Sequence, residues 1–73
     1  SAMTPEQLAS YTNDKLNALQ NELDKHSKSI DKLRSGLPAD PKAHPKKTLA
    51  KIADAEAEVE KIQQKIQAIK LNQ

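Results

Sequence analysis

Three sets of side chains in this 73-residue chain could do chemistry: two histidines, a run of alternating glutamates, and a block of lysines. His26 or His44 could serve as a pH-sensitive group or a metal ligand, the two commonest roles of an imidazole near neutral pH. Glu56, Glu58 and Glu60 could supply paired carboxylates for acid–base work or cation binding. The lysines could form an anion-docking surface: residues 25–51 hold eight Lys/Arg against two Asp, a surplus of +6 in a chain whose net charge is only +2. Each possibility depends on the elements that carry these residues.

Those elements are helical. Thr4-Pro5-Glu6-Gln7 reads as a helix start, with Thr4 as cap, Pro5 at the first helical position and Gln7 at the capping-box place. Helix-favouring composition then runs to about residue 35, where Gly36 stands in the place of a left-handed C-cap, followed by Leu37 as its apolar contact and Pro38 as a stop. Pro38, Pro41 and Pro45 rule out one continuous helix, since an interior proline costs roughly 3 kcal/mol. The expectation is a helix over about 5–35, a proline-rich loop over 36–44 in which Asp40-Pro41 starts a short turn, and a second helix opened by Pro45 and running to about 71. Residues 1–3 read as a remnant of tag cleavage, and residues 4–73 as a single hairpin taken from a longer protein.

The apolar residues follow two heptad seams. Leu16, Leu19, Leu23, His26, Ile30, Leu33 and Leu37 alternate spacings of 3 and 4, and Thr48, Ile52, Ala55, Val59, Ile62, Ile66 and Ile69 alternate 4 and 3. Folded back at the loop, the seams match layer by layer: Leu33–Ile52, Ile30–Ala55, His26–Val59, Leu23–Ile62, Leu19–Ile66 and Leu16–Ile69 all add to 85, each joining an a to a d position. The fold class is therefore all-α, a two-helix antiparallel coiled-coil hairpin. With one Tyr and no Phe or Trp the chain lacks the aromatics that fill a compact globule, so the rod is expected to be marginally stable and monomeric.

This architecture decides the chemistry. His26 falls in a core layer opposite Val59, where a ring can pack and still reach water at the rim. His44 lies in the loop and no carboxylate lies in the layers beside His26, so neither histidine has the neighbours a metal needs. Alternate residues on a helix point apart, which makes the three glutamates a solvated face. There is no cysteine, no glycine-rich phosphate loop and no nucleophile constellation, and a two-helix rod encloses no space from which water is excluded. The expectation is a non-enzymatic protein without metal or cofactor. No segment is apolar enough to span a bilayer, and a cytoplasmic location is expected.

What remains is binding. Lys28, Lys32, Arg34, Lys46, Lys47 and Lys51 converge toward the loop end, and Leu49, Ala50, Ala53 and Ala57 form a strip of mostly small residues beside them. This set is the candidate partner-binding site, with helix-favouring filler as the plain alternative for the alanines. A basic loop end also suits the backbone of a nucleic acid or an anionic membrane, although base-stacking residues are lacking there, and a solvated tip that merely aids solubility is the plain alternative. Leu8 and Tyr11 extend past the end of the second helix, and are expected either to fold back or to pack on a neighbouring domain.

The pattern as a whole resembles the homology region 1 domain, the antiparallel coiled-coil finger of Rho-family GTPase effectors, in the version that follows the F-BAR domain of membrane and actin adaptors. The matching residues are Pro5-Glu6-Gln7, the stretch Leu16 to Leu33, Asp40-Pro41 and the stretch Leu49 to Ile69. Two departures stand out: Ser27-Lys28-Ser29-Ile30 replaces the "GA" pair of kinase-type members, and Ala68-Ile69 stands where F-BAR-type members carry an aromatic. The resemblance implies binding to the switch regions of a GTP-loaded Rho-family GTPase, with no catalysis by the hairpin itself. A structural spacer and a nucleic-acid- or membrane-contacting arm are the alternatives.

Overall fold

The computed structural model describes residues 2–72. Helix α1 spans Pro5–Ser35, a single 3-10 turn spans Pro41–Ala43, and helix α2 spans Lys46–Leu71. The two helices pack antiparallel into a rod 58 Å long and 16–17 Å across. These dimensions leave room for one seam and nothing behind it.

The start of α1 is the expected one. The Thr4 hydroxyl accepts from the Gln7 N–H at 3.1 Å, and the Gln7 side chain accepts from the Thr4 N–H at 3.0 Å. Two of the donors that a helix start leaves unpaired are thus satisfied reciprocally. The short turn also forms as its sequence suggests: the Asp40 carboxylate accepts from the Lys42 N–H at 3.0 Å, and Pro41 follows at the first position.

Two local expectations need correction. Gly36 is not left-handed; its φ of −87° and ψ of −3° are right-handed, and no described residue has a positive φ. The end of α1 tightens instead, with i→i+3 bonds from the Gly36 N–H to the Leu33 carbonyl (3.3 Å) and from the Leu37 N–H to the Arg34 carbonyl (3.0 Å). Such bonds satisfy the last carbonyls without a left-handed residue. Pro45 does not sit inside α2 but caps it in an extended conformation, and its carbonyl accepts from the Leu49 N–H at 3.1 Å. Pro45 offers no side-chain cap, and the first turn of α2 carries Lys46 and Lys47 and no acid. Two cations therefore stand at the positive end of the helix dipole.

The seam is where the heptads put it. Every one of its fourteen positions is buried or half-buried, and outside it only Thr12 and His44 are, among the described residues. Thr12 continues the α1 seam by one step of four. Three isoleucines form the dry centre: Ile30 (7% exposed), Ile52 (5%) and Ile62 (2%). Burial of each such side chain contributes about 1.5–3 kcal/mol. His26 is half-buried in its predicted layer. The loop closes over its own histidine: His44 Nε2 donates to the Pro38 carbonyl at 2.8 Å. No helix among the described residues is long and apolar enough to cross a membrane.

Candidate functional site

All ten residues of the candidate site are exposed, but they do not share one surface. In each helix the a and d residues face the partner helix, positions e and b form one edge of the rod, g and c the other, and f lies at the back. Chain reversal places e beside e and g beside g. The structure anchors the first edge by an ion pair between two e positions, Arg34 Nη2 to Glu56 Oε2 at 2.8 Å. A shallow groove there is lined by Ser27, Asp31 and Arg34 of α1 and by Glu56, Glu60 and Gln63 of α2. The opposite edge shows as a second groove, where Ser29, Lys32 and Gly36 meet Thr48.

Heptad positions then sort the candidates. Arg34, Lys46, Leu49 and Ala53 belong to the Arg34 edge, and Ala50 and Ala57 adjoin them at the back of α2. These six form a continuous strip, since residues 46, 49/50, 53 and 57 are successive neighbours on a helix surface. Leu49 stands in it 42% exposed, one of five large apolar side chains left in water among the described residues. Lys32, Lys47 and Lys51 lie on the opposite edge, and Lys28 at the back of α1. The expected convergence of all six cations is therefore not what the fold produces: the loop brings them to one end of the rod but distributes them around it.

The Arg34 edge is also less basic than its residues suggest. Arg34 is engaged by Glu56, and Asp31 and Glu60 line the same groove. With both side chains of the pair about half exposed, at 55% and 51%, the bridge is weak, worth about 0.2–1 kcal/mol. It was legible in principle, because both residues occupy e positions; reading the glutamates only along their own helix hides it. Glu58 lies 3.7 Å from Lys61, so two of the three glutamates have cationic neighbours rather than forming a site together. No group of three or more His, Asp or Glu side chains converges among the described residues.

At the open end of the rod Leu8 and Tyr11 stay on the continuous α1 helix, 54% and 52% exposed, and do not fold back. Lys15 Nζ lies 5.6 Å from the centre of the Tyr11 ring, within cation–π range. Comparison with known proteins returned no matching family model, no matching curated protein and no matching solved structure.

Proposed function

We propose that the hairpin is a non-catalytic protein-interaction module whose docking face is the strip of Lys46, Leu49, Ala50, Ala53 and Ala57 with Arg34 at its side. The observation that carries this is Lys46, at the start of the strip, in the first turn of an α2 that has no side-chain cap and no acid. Cations there oppose the helix dipole, and a sequence that accepts a local penalty commonly does so for function. Beside Lys46 the exposed Leu49 and three alanines let another protein approach the backbone closely. Little apolar area is on offer, so the interaction is weak and its specificity comes from an acidic rim on the partner. The resemblance to homology region 1 fingers makes a GTP-loaded Rho-family GTPase the first partner to test.

Titration of isotope-labelled hairpin with such GTPases, in both nucleotide states, is the direct experiment. Amide shifts confined to the strip and seen only with the GTP-loaded form support the proposal, and Lys46→Glu should weaken them while the fold persists. No shifts at high micromolar concentration would sink the GTPase reading. Equal shifts with any polyanion would do so too, in favour of an arm that senses charge alone.

A further inference from the structure

The heptad register resolves the net charge into two opposed edges. The edge formed by positions g and c carries Lys15, Lys25, Lys32, Lys47, Lys51, Lys61 and Lys65 against Glu22, Asp54 and Glu58, a net of +4. The Arg34 edge carries five acids against three bases, a net of −2. The backs of the helices and the loop balance to zero, which recovers the overall +2. All seven lysines are exposed, and among the described residues only Lys61 has a carboxylate neighbour, Glu58 at 3.7 Å. Four of the eight cations of the basic block, Lys25, Lys32, Lys47 and Lys51, thus join Lys15, Lys61 and Lys65 in a row running along much of a 58 Å rod.

The row ends in apolar side chains. Leu8 and Tyr11 occupy the next g and c positions before Lys15, both more than half exposed. We infer that this lysine edge is a docking face for an anionic lipid surface, with Leu8 and Tyr11 as its interfacial anchor. A row of ammonium groups along a narrow rod 58 Å long can meet a flat sheet of headgroups over much of its length. An exposed leucine and a tyrosine, apolar in body and polar at the tip, gain free energy at a bilayer interface, whereas a phosphate backbone offers the leucine nothing. The rod is 16–17 Å across, about twice the ~8 Å screening length at physiological salt, so the acidic edge is shielded from the surface it faces away from. The proposal does not rest on the GTPase reading and uses a different edge.

The test is partition of the chain onto phosphatidylcholine vesicles with and without phosphatidylserine. The protein should bind only the anionic vesicles and release as salt rises. Each lysine at such a surface contributes about fivefold in partition, so Lys25→Gln, Lys51→Gln and Lys65→Gln together should lower it about a hundredfold. The charge-matched set Lys28→Gln, Lys42→Gln and Lys70→Gln, which lies off this edge, should cost several-fold at most. Leu8→Ser with Tyr11→Ser should lower vesicle binding at unchanged charge while leaving binding to a single-stranded RNA unaffected. None of these residues is in the seam, and helical circular dichroism verifies the fold of each variant. Equal losses in the two lysine sets, or no vesicle binding by the native chain, would overturn the inference. So would an edge set that loses RNA binding but keeps vesicle binding.

Discussion

Replacing Gly36 by alanine separates two accounts of how α1 ends. A left-handed glycine cap, which the order Gly36-Leu37-Pro38 suggests, would make the alanine strained by about 1–2 kcal/mol. The structure instead holds Gly36 at φ −87°, a conformation open to any L-residue. A Cβ built there meets the Leu33 carbonyl at 3.6 Å and the Lys32 carbonyl at 3.9 Å, which is ordinary van der Waals contact. The two bonds that close the helix, from the N–H groups of Gly36 and Leu37, do not involve the glycine's missing side chain. Gly36→Ala therefore removes only freedom in the unfolded chain and should stabilise the hairpin by about 0.4–1 kcal/mol. For a domain of this size that is a rise in Tm of about 2–8 °C. Thermal and urea unfolding followed by circular dichroism at 222 nm would measure it. The predicted signs are opposite, so a fall in Tm would refute the right-handed geometry and restore the left-handed cap.

Ile62→Ala should cost about 2–5 kcal/mol and leave little folded protein, while Leu49→Ala, at a position 42% exposed, should stay within about 0.5 kcal/mol; urea titration of both would show whether the seam alone carries stability. Lys46→Glu should raise stability by about 0.3–1 kcal/mol by favouring the α2 dipole and at the same time weaken partner binding, so a variant that loses both would point to a structural role for Lys46. A double-mutant cycle on Arg34 and Glu56 should return about 0.2–1 kcal/mol that shrinks as salt is added; a salt-independent coupling would contradict a solvent-exposed pair. Melting should be independent of protein concentration, as expected for a monomeric hairpin; a concentration-dependent Tm would reveal association in the folded state.

The heptads alone determine nearly all of this fold. Spacings of 3 and 4 in both halves name the fourteen seam positions, three prolines between them force the reversal, and the layer pairing follows from loop length because a rod with one buried stripe has one register that closes. Thr4 and Gln7, and Asp40 with Lys42, are equally local: each cap is a bond between residues two or three apart, written in their types. The end of α1 was not legible in this way, because glycine permits either hand and only the closing bonds to Leu33 and Arg34 select one. Nor was the arrangement of charge. Along the chain, Arg34 and Lys32 are near neighbours in a basic block, yet one helical step of two residues sends them to opposite edges of the rod. Glu56 is 22 residues from Arg34 and reaches it only across the seam. Pairing within a helix is a property of sequence; pairing across two helices, and the sign of each edge, exist only once the chain has folded back on itself.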